Sequence, residues 1–275
     1  MSAKRIEYNA ALSQRIEIAP GLAIFRVVPD GDLFDFEPGQ YSVLGLRCKA
    51  LRIIDSDPDP DNSKCGEDPE RLIRRAYSIA SSSLEREFIE FYITLVRSGE
   101  LTPRLFNLTI GDRLYLGPRA TGLFTLNQVP SHKHILLVST GTGLAPYISM
   151  VRSQLDCNQG RHFVVLNGAR YSWDLGYRDE LNFLSRLCRN FSYFPIISRP
   201  DRDPTWNGLE GRVQTLLASG VVEEKTGLSL TPENFDVFLC GNPAMIEDVI
   251  QMVEARGFVK DERKNPGTIH VEEYW

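Results

Sequence analysis

Arg75-Ala76-Tyr77-Ser78 stands where a polar, proline-broken segment gives way to the alternating run Ile79-Ala80-Ser81. In an extended strand alternate side chains share a face, so Arg75 and Tyr77 are predicted to point one way and Ala76 and Ser78 the other. A guanidinium beside a phenol suits a ligand that is anionic at one end and flat and aromatic at the other.

Around this tetrad the chain reads as short strands with turn punctuation. Arg15–Ile18, Leu22–Val28, Tyr41–Leu46, Arg75–Ala80, Phe88–Leu95 and Arg113–Leu116 carry strand patterning with little helical period, which predicts a six-stranded antiparallel β-barrel. Ala19-Pro20-Gly21 and Pro29-Asp30-Gly31-Asp32 are turn sequences bracketing the second strand. In Gly99-Glu100-Leu101-Thr102-Pro103, Gly99 permits close approach of backbone to a ligand. Thr102-Pro103 predicts a helix start with Thr102 as cap and Pro103 in first position, whose amides would suit a pyrophosphate. Between Cys48 and Glu70, Asp55, Asp57, Asp59 and Asp61 alternate with other residues. The series lacks the glycine of a calcium loop and carries Pro58 and Pro60, so it is expected to be a solvated surface loop.

From about residue 129 the pattern becomes strand, helix, strand. Ile135–Val138, Phe163–Leu166, Tyr193–Ile197 and Val237–Leu239 alternate with helical stretches near Tyr147–Leu155, Arg178–Leu187, Arg212–Ser219 and Ala244–Ala255. That alternation predicts a parallel sheet with helices on both faces, an α/β nucleotide-binding domain. The expected division is therefore 1–128 and 129–275. Gly141-Thr142-Gly143 is a Gly-rich strand-to-helix turn of the kind that holds a pyrophosphate. Pro146 replaces the third glycine of the usual dinucleotide fingerprint, and the second strand ends in Asn167-Gly168-Ala169-Arg170 rather than in an acid. An acid there would hold the ribose hydroxyl of NAD, whereas an arginine leaves room for NADP. Ser198-Arg199 and Gly211-Arg212 place two further guanidiniums and a hydroxyl at the carboxyl edge of the sheet, suited to a 2′-phosphate.

The totals bound the class. The 275 residues, 42% hydrophobic, suffice for two domains with full cores, and a net charge of -5 with both signs interspersed argues against a nucleic-acid binder. The N-terminus lacks an apolar core and Ile135–Val138 is too short to cross a bilayer, so no membrane role and a cytoplasmic location are expected. Five scattered cysteines, Cys48, Cys65, Cys157, Cys188 and Cys240, fit reduced thiols better than a disulfide framework. With no CxxC pair there is no expected zinc or iron–sulfur site, and redox chemistry would use an organic cofactor.

Five motifs occur in order around the tetrad: Pro38-Gly39-Gln40-Tyr41, Gly99-Glu100-Leu101-Thr102, Gly141-Thr142-Gly143-Leu144-Ala145-Pro146, Cys240-Gly241-Asn242-Pro243 and the terminal Glu272-Glu273-Tyr274-Trp275. Together they resemble the ferredoxin–NADP reductase family, and within it the bacterial ferredoxin/flavodoxin–NADP reductases. The resemblance leaves out only the first dozen residues and an insertion from Cys48 to Glu70. It implies non-covalent FAD held by Arg75, Ala76, Tyr77, Ser78, Tyr92, Ile93, Thr94, Glu100, Leu101, Thr102, Tyr274 and Trp275. It implies NADP(H) held by Thr142, Ala169, Arg170, Ser198, Arg199, Arg212, Gly241 and Asn242.

Of these, Ser78, Cys240, Glu272 and Tyr274 are implied to serve the reaction, reversible hydride exchange between nicotinamide and flavin followed by single-electron exchange with ferredoxin or flavodoxin. Cys240 would position the nicotinamide, Glu272 would steady charge beside it or relay a proton, and Tyr274 would stack on the flavin with Trp275 continuing toward the adenine end. A monomer is expected. A flavin or oxygenase reductase with another acceptor, and a non-catalytic flavin-binding module, are the alternatives.

Overall fold

The turn at Pro20-Gly21, with Gly21 at φ +79°, folds the first two strands into a hairpin, β1 (Ala10–Ala19) against β2 (Leu22–Pro29). The computed structural model describes residues 7–61 and 63–273. Its contacts divide the chain between Leu123 and Phe124. The first unit continues with β3 (Tyr41–Arg47), β4 (Leu72–Ser78), β5 (Ile89–Thr94), a one-turn helix α1 (Thr102–Leu105) and β6 (Arg113–Leu116).

All pairings are antiparallel, in the order β4-β3-β6-β1-β2-β5. The strands fit the expected antiparallel barrel with one difference: the edge strands β4 and β5 close through a bridge between Ile79 and Phe91 and the Ala80 N–H to Glu90 O bond of 2.8 Å, not through a ladder. Strand β1 begins five residues before the expected start, because it bends through register shifts at Leu12/Gln14 and Glu17/Ala19 that interrupt a plain alternation. The core of this unit gathers Leu12, Phe25, Leu44, Ile73, Ile89, Phe91 and Leu114.

The second unit is built from β7 (His134–Thr140), α2 (Ala145–Gln154), β8 (Phe163–Ala169), α3 (Arg178–Leu187), β9 (Phe191–Ile197), β10 (Leu209–Glu210), α4 (Val213–Ala218), α5 (Val221–Thr226), β11 (Phe235–Cys240), α6 (Pro243–Glu254) and β12 (Ile269–Glu272). Every strand pair is parallel, in the order β10-β9-β8-β7-β11-β12. Ile135, Leu136, Leu137 and Val138 are all fully buried, as consecutive strand residues are only when both faces of a sheet are covered. Since β7 lies between β8 and β11, the chain reverses direction of travel across the sheet at β7, and a crevice outside the carboxyl ends of β7 and β11 is where such folds bind ligands.

One expectation is corrected here and one refined. Cys48 and Cys65 form a disulfide, as do Cys157 and Cys188, and only Cys240 is free. Pairs separated by 17 and 31 residues have no spacing signature, and only the fold brings their Cα atoms to 5.1 and 4.7 Å. The acidic insertion lies at the surface as expected, with Asp55, Asp57 and Asp61 exposed, but it is tied down through Asp59. Asp59 accepts from both terminal nitrogens of Arg104 at 2.7 Å and from Arg52 at 2.6 Å, and Arg104 is itself buried.

Candidate active site

In the first unit the tetrad lies on β4 as expected, paired with β3 so that Ser78 faces Tyr41 and Arg75 faces Leu44 across the ladder. Ile73 and Ile79, two residues either side of the Arg75 and Tyr77 positions, are in the core, and Tyr77 packs edge-on against Phe91 at 6.5 Å. Burial pushes the Tyr77 phenol well above its ordinary pKa and the nearby Arg75 charge opposes this only in part, so the ring presents a neutral hydroxyl. Ser78 is buried, and Arg75 and Ala76 are exposed.

Arg75 reaches out to Glu100, donating from Nη2 to Oε2 at 2.6 Å. Arg71, which precedes β4, donates to the other carboxylate oxygen at 2.5 Å. Burial works to raise the Glu100 pKa, but the hydrogen bonds and charges of these two guanidiniums outweigh it and hold the group below the usual carboxylate range. The tetrad and the Gly99–Thr102 motif, 25 residues apart for the Arg75–Glu100 contact, are thus brought together.

The helix start in this motif differs from expectation by one residue. Leu101 is the cap position, Thr102 opens the single turn of α1 and Pro103 follows it. The Thr102 hydroxyl is drawn away from capping because the preceding loop folds back on it: it accepts from Val96 N–H at 2.9 Å and donates to Val96 O at 3.0 Å. On β5, Tyr92 and Ile93 are buried against Ile24 and Ala23, and Thr94 is exposed opposite Leu22.

In the second unit β7 runs into the 3-10 turn Gly141–Leu144, where Thr142 is half-buried, and then into α2. Gly143 packs on the end of β11. A Cβ there would stand 2.6 Å from the Cys240 carbonyl carbon and 2.8 Å from Gly241 N, closer than real Cβ atoms come. Gly241, at φ +135°, abuts Thr140 in the same way. The Thr140 hydroxyl accepts from Asn242 N–H at 2.8 Å, and Asn242 caps α6 as expected, accepting from Met245 N–H at 3.3 Å with Pro243 next. Two glycine turns are therefore locked together at the switch point of the sheet.

Cys240 is fully buried. Burial, and secondly the Glu272 charge, push its thiol well above the ordinary range, so it is a neutral thiol rather than a nucleophile. Glu272 pairs with Cys240 across the parallel β11–β12 ladder. Tyr274 and Trp275 lie outside the described residues.

Ala169 ends β8, and Arg170 follows it, exposed. Ser198 donates to Ala169 O at 3.3 Å, which brings the ends of β8 and β9 together. A depression of about 330 Å³ there is lined by Ser198, Arg199, Asp201 and Arg202. Arg212, exposed, is the cap residue of α4, after Gly211.

Sequence reasoning missed the aromatic support of this corner. Tyr171 stacks on Trp173 with ring centres 4.6 Å apart, Arg199 donates to the Tyr171 hydroxyl at 3.4 Å, and the hydrogen bonds of Arg199 and Arg202 lower the phenol pKa. The contact of Arg71 with Glu100 was missed too, for Arg71 lies outside the tetrad and 29 residues from that carboxylate. Among the described residues no group of three or more His, Cys, Asp or Glu side chains could hold a metal, and no helix is long and apolar enough to cross a membrane.

An antiparallel unit bearing a cation–aromatic strand, followed by a parallel unit with a glycine crevice, defines the two-unit class of nucleotide-dependent reductases, and residues 137–251 match the oxidoreductase NAD-binding domain family. The chain is 31% identical to a flavodoxin/ferredoxin–NADP reductase of Buchnera aphidicola subsp. Baizongia pistaciae, over 92% of this chain and 93% of that protein. It is 32% identical to the flavodoxin/ferredoxin–NADP reductase of Escherichia coli K12 over the same shares. A ferredoxin NADP+ reductase from Neisseria gonorrhoeae, solved with bound FAD and NADP, shares the fold at TM-score 0.79 and 24% identity, covering 97% of this chain and 98% of that one. The chain belongs to the flavodoxin/ferredoxin–NADP reductase family and is an oxidoreductase.

Proposed function

We propose that the chain is an FAD-dependent reductase that exchanges hydride with NADP(H) and single electrons with ferredoxin or flavodoxin, acting as a cytoplasmic monomer. In this reading residues 1–128 hold non-covalent FAD and residues 129–275 hold NADP(H). The observation that carries it is the distribution of charge at the two sites. An exposed guanidinium next to a neutral phenol on β4 fits an anionic flat aromatic ligand. Arg170 follows β8, Ser198 and Arg199 follow β9 and Arg212 caps α4, while β8 does not end in the acid an NAD site would carry.

The donor sets fit both groups. Gly141, at φ +56°, has open space where a Cβ would be, so the turn before α2 can take a pyrophosphate close to backbone. Arg75 is half-exposed and its partner Glu100 is held independently by Arg71, so Arg75 can turn to an anion without stranding the carboxylate. Bound flavin supplies the ability to divide a two-electron donation into one-electron deliveries. The residues of this chain bind, orient and exclude water. Arg75 would neutralise the flavin pyrophosphate, with Ala76, Tyr92, Ile93, Thr94, Leu101 and Thr102 shaping its seat, and Ser78 would hydrogen-bond to the ring system. Thr142, Ala169, Gly241 and Asn242 would bring backbone against the pyridine nucleotide, and neutral Cys240 would position the nicotinamide with Glu272 beside it.

Purified protein tests the reading directly. It is expected to be yellow, to run as a monomer on a sizing column, and to pass electrons from NADPH to added flavodoxin or ferredoxin. Colour with no carrier reduction by NADPH would overturn it.

A further inference from the structure

The insertion between β3 and β4 is attached at many points to one short segment, the residues from Val96 to Leu105 that carry Glu100. Arg104, 2% exposed, donates to Cys48 O from Nε and Nη2 at 3.2 and 2.8 Å, to Glu100 O at 2.6 Å, and to both oxygens of Asp59. Arg52 joins Asp59 to Gly99 O at 3.0 Å and Arg97 O at 3.1 Å. Backbone bonds run from Ile53 N–H to Pro103 O and from Asp57 N–H to Arg97 O. The Cys48–Cys65 disulfide closes the insertion on itself, and Cys65 Sγ lies 3.4 Å from Nη2 of Arg71, the nitrogen that also holds Glu100.

We propose that this insertion is a brace that positions the Arg71–Glu100–Arg75 cluster for the flavin pyrophosphate, with Arg104 and Asp59 as its positioning residues and the Cys48–Cys65 disulfide as a reversible closure. The inference rests on the flavin reading of that cluster given above. A buried guanidinium is retained where its donors are all used, and here Arg104 makes five contacts, two to Cys48 O, two to Asp59 and one to the carbonyl of Glu100, the residue whose carboxylate orients Arg75.

Opening the closure takes a dithiol reductant. Its thiolate attacks one sulfur, the Cys48–Cys65 bond breaks, and the second thiol of the reductant closes on the first. Two electrons and two protons pass to the cysteines, and the reductant ends as its own cyclic disulfide. The Arg71 guanidinium beside Cys65 stabilises that sulfur as a leaving thiolate. In the reduced state the insertion loses its covalent ring while the ion pairs remain, and the flavin cluster loosens.

The test measures FAD dissociation constants on the full chain, oxidised and after dithiothreitol, with the affinity for 2′-phospho-AMP as a control readout on the second unit. Wild-type protein is expected to bind FAD several-fold more weakly once reduced, and Cys65→Ser to bind at that weaker level with or without dithiothreitol. Asp59→Asn is expected to weaken FAD by about tenfold, the cost of a charge-assisted pair, with 2′-phospho-AMP unmoved. A Cys157→Ser/Cys188→Ser protein is expected to keep the full response.

FAD affinity that is unchanged by reduction, with thiol titration showing that the bond has opened, overturns the inference. So does loss of both ligands together in Asp59→Asn, which would mark a general folding defect. Oxidised wild type that binds no FAD at all would overturn the flavin reading itself, a distinct result.

Discussion

Glu100 takes a guanidinium on each of its two oxygens, and the Arg75 Nη2 to Glu100 Oε2 distance of 2.6 Å joins two motifs that the sequence separates by 25 positions. Because Arg71 holds the carboxylate in any case, Arg75 is the member of the trio whose charge is available to a ligand. Arg75→Ala should therefore release FAD, while Glu100→Gln should leave a cluster with excess positive charge that still binds FAD but holds Arg75 less firmly. Flavin content after gel filtration checks this. Arg75→Ala protein that elutes fully yellow with unchanged FAD affinity would remove Arg75 from the site.

Cofactor choice should reside in Ser198, Arg199 and Arg212. Replacing both arginines by alanine should raise KM for NADPH steeply and leave NADH almost unchanged, each lost charge-assisted contact being worth about 1.5–3 kcal/mol. Tyr171→Phe should produce a smaller change in the same direction, since it removes only the hydroxyl that steadies Arg199. Steady-state kinetics with the two nucleotides distinguishes these effects, and equal losses for NADPH and NADH would contradict the assignment.

How far the sequence could be read follows from which features are local. The Gly141–Gly143 and Cys240–Pro243 turns, the Asn242 cap and the alternation of strand and helix are set by neighbours in the chain, and each was legible. Arg104 was not, for a single arginine after Thr102-Pro103 reads as a surface residue until the fold places Cys48 O and Asp59 around it. The disulfides were hidden for the same reason. Thr102 was misplaced by one position because its choice of Val96 over its own helix depends on a six-residue loop closing back. Helix α5 also escaped, since it is only six residues long between Gly220 and Gly227, both in left-handed backbone.

Acid should loosen the flavin unit. The hydrogen bonds from Arg104 depress the Asp59 pKa against the opposing effect of burial, and Glu100 is also depressed. A carboxylate whose folded pKa lies below its unfolded value contributes stability that is complete above the unfolded value, near 4, and is lost as pH falls through the folded one. FAD retention should thus be flat from neutral pH down to about 5 and fall below about 4, whereas the melting temperature also falls between these limits because burial holds the His134 and His162 pKa values below their unfolded ones. In Asp59→Asn the acid loss should be smaller, starting from a less stable protein. A wild-type curve that is level to pH 3 would count against the network.

Gly143 should tolerate no side chain. Its Cβ would meet the backbone of Cys240 and Gly241, which cannot rotate away, so Gly143→Ala should destabilise the second unit by about 1–3 kcal/mol or more and shift the β11 end. Gly141→Ala meets no atoms and differs only in its positive φ, so it should cost less. Denaturant titrations of the two variants give the comparison. Equal stability would mean that the two glycine turns are not in contact.

The most direct test of the central claim is anaerobic mixing of the oxidised protein with NADPH or NADH, followed by addition of flavodoxin or ferredoxin. The expected result is rapid bleaching of the flavin by NADPH, much slower bleaching by NADH, and recovery of flavin colour as the carrier is reduced. Bleaching that is equally fast with both nucleotides, or flavin that stays reduced in the presence of either carrier, would contradict the account.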